Sequence, residues 1–358
     1  MKKITKIGLS ALCGSLASAS AYAGALSVSG GATATWITKE GTNNGNPIGL
    51  SSGLTFSGSG EFDNGTTFTL TLTHADQDAY SAGSIVITTP SFGQFRIGGA
   101  DGVSGIDSHD DKMPTAWEET DGTGLTIGHD KISGVGGSMN LGYKTPSFLG
   151  TTIQVAYAPR NNGKIVNDKA SSGSAAEHKG AGMDALIDIN TGGLLDLGSA
   201  NLFAGYSITE RGTAAKAAGT NSDPNTDHEE AVGGVIFTVG PVSLGAQASA
   251  EWLGNEQTAS DVAGYRNIGY GVSFNVNDDL SLSYGENTSR KGFVGRNNAS
   301  TATIDSKAES WQVAYTMGGA ALKVAKTSVD NQNYTSGTGG DREGMTFALS
   351  LALSLIHI

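Results

Sequence analysis

Acidic side chains are concentrated in residues 98–137, a segment that contains eight acids and two lysines, Lys112 and Lys131. The acids are Asp101, Asp107, Asp110, Asp111, Glu118, Glu119, Asp121 and Asp130. Carboxylates on a loop in water attract cations, and rings of such charges set the selectivity of cation channels. The same composition is typical of an ordinary solvated surface loop. The residues alone therefore leave both interpretations of this segment open.

Two short runs contain the residue types of metal ligands. Asp107, Asp110 and Asp111 flank His109, and residues 227–230 combine a histidine with three acids. Oxygen-rich sets of this kind can bind Ca²⁺, although neither run has the spacing of an ordered calcium loop. Solvated loop charges are the better explanation of both runs. We therefore expect no cofactor, and we keep Asp107, Asp110 and Asp111 as weak Ca²⁺ candidates.

Catalytic motifs do not stand out in the sequence. The six histidines show no H-E-x-x-H spacing, and no G-x-x-x-x-G-K-[ST] run is present. No serine, histidine and acid can be selected as a set, because most serines alternate within strand patterns. The sequence therefore predicts a protein that is not an enzyme.

The first 23 residues have the pattern of a secretory signal peptide. Three lysines precede an apolar stretch at residues 7–16, and Ala-Tyr-Ala at 21–23 is a small-x-small cleavage site. The predicted mature chain then has 19 basic and 34 acidic residues, a net charge of −15. This balance argues against nucleic acid as a partner. Removal of Cys13, the single cysteine, suits an exported chain without disulfides.

The mature chain alternates apolar and polar residues almost from end to end, as in Phe68, Leu70 and Leu72 between threonines. This period of two indicates β-strands with one apolar and one polar face. The 53 glycines argue against an all-helical protein. No apolar run after residue 25 is long enough for a membrane-spanning helix. A soluble sandwich with apolar faces inward and a membrane barrel with apolar faces outward both fit the alternation.

The spacing of the connections favours the barrel. Short turns are predicted at 63–65, 89–93, 145–150, 190–198, 239–241, 277–279 and 318–319, and long polar loops near 39–47, 76–82, 98–137, 159–180, 210–229, 253–263, 286–306 and 330–342. Aromatic residues cluster near both ends of the strands, as rings at a membrane interface do. Seven turns and eight loops join sixteen strands. The sequence therefore predicts an all-β protein, a 16-stranded antiparallel transmembrane barrel around a water-filled lumen.

Three basic residues are predicted to face that lumen. With Phe95 and Ile97 outward, Arg96 points inward, and the same alternation turns Lys144 and Lys323 inward. A register shift of one residue would reverse each assignment. These residues are the candidates for a basic pore wall.

Two stretches resemble a known family. They are residues 89–102 and 142–148, which share the run Thr-Pro-Ser-Phe. By their order and spacing they resemble the general porins of Gram-negative bacteria, the 16-stranded trimeric type, and are most similar to alphaproteobacterial porins. The resemblance extends over roughly residues 1–353.

The resemblance implies an outer-membrane channel for passive diffusion of ions and small hydrophilic solutes. It implies a homotrimer in contact with lipid and lipopolysaccharide, and an inward-folded loop at 98–137 that narrows the pore. The acids proposed for this constriction are Asp101, Asp107, Asp110, Asp111, Glu118 and Glu119. With these acids in the pore, a weak preference for cations is expected.

Two features depart from the family pattern. Family members carry arginines on their early strands, whereas residues 24–75 contain one basic residue, Lys39, in a predicted loop. Family members also end in an aromatic residue, where this chain has Leu353 followed by an atypical tail at 354–358. We therefore predict a barrel at 24–353 and expect residues 353–358 to lie outside the spanning part of the last strand and to hinder assembly.

Two other functions fit part of the sequence. A substrate-specific channel of the same fold would show basic or aromatic tracks along its lumen, and the sequence leaves this open. A secreted β-rich adhesin or surface protein would show tandem repeats without aromatic girdles, and no such repeat is present.

Overall fold

The computed structural model describes residues 26–39, 45–76, 78–99, 105–161, 179–192, 198–211, 227–254, 259–295, 303–337 and 339–355. Over these ranges, sixteen strands form one closed antiparallel barrel, which confirms the predicted fold class. Each strand pairs with its neighbours in the chain, and β1 pairs with β16 to close the barrel. The predicted signal peptide, residues 1–23, lies outside the described residues.

The strand bounds are β1 Ser27–Lys39, β2 Ile48–Glu61, β3 Thr67–Ala75, β4 Asp78–Thr89, β5 Gly93–Gly99, β6 Asn140–Lys144, β7 Thr151–Ala158, β8 Lys179–Asn190, β9 Ser199–Arg211, β10 His228–Val239, β11 Val242–Trp252, β12 Val262–Asn275, β13 Leu280–Phe293, β14 Ile304–Met317, β15 Ala320–Asp330 and β16 Arg342–Leu355. Within the described ranges, two short 3₁₀ turns occur, at Gly105–His109 and Gln332–Tyr334. No helix in the described ranges is long and apolar enough to cross a membrane.

The seven predicted short turns all fall between strands as expected. The turn between β4 and β5 shows the local chemistry. Thr89 Oγ1 accepts a hydrogen bond from the backbone N–H of Phe92 at 3.0 Å. Gly93 then has φ +84°, and any Cβ there would collide with the carbonyl oxygen of Lys144. Only glycine fits this position, because L-residues avoid positive φ.

Apolar side chains point outward and polar side chains point inward. On β5, Phe95 and Ile97 are 47% and 49% exposed. On the inner face, Ser207, Ser310 and Thr327 are buried. A soluble sandwich would enclose its large apolar side chains, so this arrangement supports a barrel that faces lipid.

The predicted loop at 76–82 is wrong. β3 ends at Ala75 and β4 begins at Asp78, so the connection is only two residues long. Asp76 allows this tight link because it adopts φ +50°, a conformation that aspartate tolerates, and its Oδ1 accepts the N–H of Ser52 at 2.8 Å. Likewise β13 continues to Phe293, inside the predicted loop 286–306. Polar strand ends of this kind resemble loops in sequence.

The predicted end of the barrel at Leu353 is wrong by two residues. β16 continues to Leu355, whose backbone pairs with Val28 of β1. The physical reason is that β1 begins at Ser27, so its first residues offer backbone N–H and C=O groups toward β16. Unpaired backbone groups cost several kcal/mol in lipid, which favours extension of the last strand.

Candidate functional site

The connection between β5 and β6 folds into the barrel, as predicted. Its described part, residues 105–139, is called loop 3 below. Loop 3 follows the inner wall from β8 to β16, and its main chain forms hydrogen bonds with inward side chains of seven of these strands. These side chains are Asp184 on β8, Glu230 on β10, Gln247 on β11, Asn267 on β12, Ser283 on β13, Gln312 on β14 and Thr346 on β16.

A buried carboxylate on β8 joins the two limbs of loop 3. Asp184 Oδ2 accepts hydrogen bonds from the backbone N–H groups of Ile106 and Val135, both at 3.1 Å. Asp184 is fully buried. At Gly105, φ is +63° and any Cβ would overlap the Asp184 carboxylate. Loop 3 can therefore approach this wall closely because glycine lies at the contact.

A second buried carboxylate, Glu230 on β10, fixes the returning limb. Its two oxygens accept the N–H of Ser133 at 2.7 Å and the N–H of Gly134 at 2.8 Å. Glu230 is 1% exposed. Hydrogen bonds to an ionised acceptor are roughly twice as strong as neutral ones. Glu230 and Asp184 therefore act as the main polar anchors of loop 3.

Apolar contacts support the same attachment. Ile106 and Ile132 of loop 3 form a buried cluster with Phe203 on β9 and Val232 on β10. A second cluster comprises Leu125, Ile127, Ala308 and Val329, and a third comprises Val135, Ala156 and Ala158. Burial of the Ile, Leu, Val and Phe side chains in these clusters stabilises by about 1.5–3 kcal/mol each. The apolar core of this barrel therefore lies within the lumen, between loop 3 and the wall.

Three acids of loop 3 surround one lysine. Lys131 Nζ lies 3.2 Å from Asp111 Oδ2, 2.6 Å from Glu119 Oε2 and 2.9 Å from Asp121 Oδ1. Burial tends to lower the pKa of Lys131, but the three carboxylates outweigh it and hold the pKa above its ordinary value. Burial raises the pKa of Asp121 even though Lys131 opposes the shift. The cluster fixes two distant parts of loop 3 to each other.

The other acids predicted for the constriction are partly buried in the loop. Burial, followed by the field of Asp110 and other nearby carboxylates, raises the pKa of Asp107 to about 6. Burial also raises the pKa values of Asp110 and Glu118. Asp101 lies outside the described residues. The charge of Asp107 therefore changes in a pH range close to neutrality.

The three basic residues occupy two places. Arg96 and Lys144, with two glutamines, line a recess of about 210 Å³ on the inner face of β5 to β7. Lys323 is on β15, where its Nζ lies 5.5 Å from the centre of the Trp117 ring in loop 3. The structure thus brings Arg96 and Lys144 together, whereas Lys323 lies against loop 3.

The connection between β15 and β16 reaches down to loop 3. The backbone N–H of Asn333 donates to the carbonyl of Ile127 at 3.0 Å. Tyr334 Oη accepts the N–H of Asp130 at 3.0 Å and lies 2.7 Å from Ser289 Oγ on β13. This contact attaches loop 3 to a second loop as well as to the wall.

The weak calcium candidates do not converge on one point. Among described loop 3 residues, the carboxylates that come within 4.8 Å of one another are Asp111, Glu119 and Asp121. That group already surrounds Lys131, and it leaves out both Asp107 and Asp110.

Comparison with known families identifies the chain. The profile of Gram-negative porins matches residues 8–316. The chain belongs to the Gram-negative porin family. It is therefore an outer-membrane channel for passive diffusion. No match is found among curated proteins.

Solved structures share the fold of this porin at low sequence identity. OmpF of Salmonella typhi, in complex with daunomycin, has a TM-score of 0.65 and 15% identity, with 92% of this chain and 97% of that chain covered. The anion-selective porin from Comamonas acidovorans has a TM-score of 0.60 and 14% identity, with 92% and 100% covered. OmpT of Vibrio cholerae, with loop L8 deleted, has a TM-score of 0.61 and 14% identity, with 92% and 100% covered.

Sequence reasoning did not find the residues that anchor loop 3 in this porin. Asp184, Glu230, Gln247 and Gln312 are buried inward residues of β8, β10, β11 and β14. A larger hydrogen-bonding side chain at an inward position is the signal that could have identified them. This signal does not reveal which residue of loop 3 each side chain contacts, because that residue lies 49 to 195 positions away in the chain.

A Tyr334→Phe substitution should weaken the contact between the two loops without disturbing the barrel. The loss leaves the N–H of Asp130 and the hydroxyl of Ser289 without this partner. We expect a cost of about 1–3 kcal/mol to the docked loop. Single-channel recordings should show more open-state noise at an unchanged mean conductance. A Tyr315→Phe variant on the outer face of β14 serves as control, and equal noise in both variants would contradict the prediction.

Proposed function

We propose that this porin lets ions and small hydrophilic solutes diffuse through each barrel, with a weak preference for cations. The observation that carries the proposal is the acidic loop 3 inside the lumen. Its described part has seven acids and two lysines, and one of these, Lys131, is enclosed by three of the acids. The net negative charge that remains raises the local concentration of cations. The anion-selective porin from Comamonas acidovorans shares this fold, which supports pore charge, and not the fold itself, as the basis of the selectivity.

The proposed passage runs along the strands that loop 3 leaves uncovered. Loop 3 bonds to the wall from β8 to β16 and packs on Ala156 and Ala158 of β7, so the proposed passage lies beside β2 to β6. Arg96 and Lys144 belong to that side, and Lys323 lies beside loop 3. The acids assigned to the loop side of the constriction are Asp107, Asp110, Asp111, Glu118 and Glu119, together with Asp101 at the start of the connection.

A homotrimer embedded in lipid and lipopolysaccharide is the proposed assembly. OmpT of Vibrio cholerae, which has the same fold, was solved in a trimer form. The exposed apolar outer face, including Leu50 and Leu141, suits lipid and subunit contacts. Family membership also supports a channel that catalyses no reaction.

Reversal potentials in planar bilayers test the selectivity. We expect cation preference at low ionic strength that largely disappears at about 1 M salt, where the Debye length is about 3 Å. Because the pKa of Asp107 is raised to about 6, its carboxyl becomes neutral as the pH falls below that value, and cation preference should fall with it. An Asp107→Asn variant should lose this part of the pH dependence. Anion preference of the unmodified protein at low salt would refute the proposal.

A further inference from the structure

A mixed group of one histidine and two glutamates lies on the inner wall beside loop 3. His228 and Glu230 are on β10, and Glu251 is on β11. One donor atom from each of the three residues lies within 4.8 Å of the others. His228 Nε2 is 2.8 Å from Glu251 Oε1. All three residues are at most 8% exposed.

The group has an excess of negative charge. Glu230 and Glu251 are directly paired across β10 and β11, and like charges in such a pair are destabilising. Asp130 of loop 3 adds a third carboxylate to the surroundings of Glu251. Among the described residues, the one basic group within ion-pair distance of either glutamate is the His228 ring. With both carboxyl groups ionised, a protonated ring would still leave the three residues with a net charge of −1.

Two potential ligand atoms of the group make no hydrogen bond within the described part of the chain. Glu251 Oε2 and His228 Nδ1 are buried and have no hydrogen-bond partner there. The side chains of both residues are 9% exposed. Buried polar atoms are rarely left unpaired, because each costs about 1–3 kcal/mol. A bound cation is a partner that compensates the carboxylate charge and takes up the free lone pair of Glu251 Oε2.

We propose that His228, Glu230 and Glu251 bind a divalent transition-metal ion of the Zn²⁺ type. Imidazole and carboxylate together suit Zn²⁺, which takes three protein ligands and a water at open sites. Ca²⁺ needs six to eight oxygen ligands and is therefore a poor fit. The acidic group of Asp111, Glu119 and Asp121 differs, because it has no imidazole and already holds Lys131.

Metal binding would stabilise the inward position of loop 3. Glu230 holds the N–H groups of Ser133 and Gly134, so a ligand that fixes this carboxylate also fixes the loop. An ion that binds the docked form preferentially shifts the equilibrium toward it. The site thus couples external metal to the geometry of the pore.

Equilibrium dialysis of the folded full-length porin, stripped with chelator and supplied with Zn²⁺ alone or Ca²⁺ alone, tests the proposal. We expect one Zn²⁺ per chain, bound more tightly than Ca²⁺. The Glu251→Gln and His228→Asn variants should each lose affinity by roughly tenfold or more, since even loss of an outer-shell partner costs 10–100-fold. The control is His109→Gln, because His109 Nε2 also meets one acid, Asp188, at 2.9 Å but belongs to no three-residue group among the described residues.

A second measurement requires no variant. Co²⁺ added to the unmodified protein should give the visible absorption of a low-coordinate nitrogen and oxygen site, and Zn²⁺ should remove it. Heat-modifiable migration in gels establishes that each variant is folded. The proposal is overturned by absence of stoichiometric Zn²⁺, by tighter binding of Ca²⁺, or by equal Zn²⁺ affinity in the folded Glu251→Gln variant and the unmodified protein.

Discussion

Truncation of Asp184 to alanine should release one end of loop 3 from the wall and raise the conductance of the channel. Asp184 Oδ2 accepts the N–H groups of both Ile106 and Val135 in a fully buried environment. Each buried N–H left without a partner costs about 1–3 kcal/mol, so the docked loop should lose about 2–6 kcal/mol. The barrel strands keep their own ladders, and the variant should still assemble.

Asp188→Ala is the matched control for this variant. Asp188 lies on the same strand and the same face, four residues further on, but it contacts the His109 side chain instead of loop backbone. Single-channel conductance and the uptake of larger sugars into proteoliposomes should rise for Asp184→Ala and change little for Asp188→Ala. If conductance and sugar uptake do not rise in Asp184→Ala, Asp184 does not hold the loop in place.

The barrel could be predicted from the sequence because its signals are local. The turn at Thr89 to Gly93 and the inward position of Arg96 follow from residue types within a few positions. The predicted bounds of loops and strands were wrong where polar or atypical strand residues were interpreted as irregular structure. Asp78 begins a strand although the surrounding run is polar, and Leu355 still pairs with Val28 although the tail is atypical.

The interior arrangement could be predicted only in part. The concentration of acids in loop 3 is visible in sequence, but the enclosure of Lys131 depends on how the loop folds back on itself. The anchors are less accessible still, because Glu230 is almost a hundred residues from Ser133 and meets it only when the loop follows the wall. Non-local contacts of this kind leave no pattern in a single sequence.

Replacement of Lys131 by methionine should have the second large effect, because it removes the one amine from a group of three acids. Methionine preserves much of the side-chain volume but leaves Asp111, Glu119 and Asp121 facing one another without Lys131. Removal of one partner from a buried ion pair costs about 3–5 kcal/mol. We expect loop 3 to become mobile near neutral pH, with noisy, larger currents in single-channel recordings and a stronger preference for cations.

Acid should partly reverse the effect of Lys131→Met. Burial already raises the pKa of Asp121, and loss of Lys131 removes a charge that opposed this shift. A carboxyl whose pKa is higher in the docked loop than in the released loop binds protons more tightly when docked, so falling pH favours docking and rising pH opposes it.

Adding Asp121→Asn to the Lys131→Met variant should have the same restoring effect at neutral pH, because one of the repelling charges is removed. Lys112→Met is the control, since Lys112 is exposed in the same loop and should leave the noise unchanged. Quiet currents from Lys131→Met at neutral pH, or noise that grows as the pH falls, would show that the acids do not depend on Lys131.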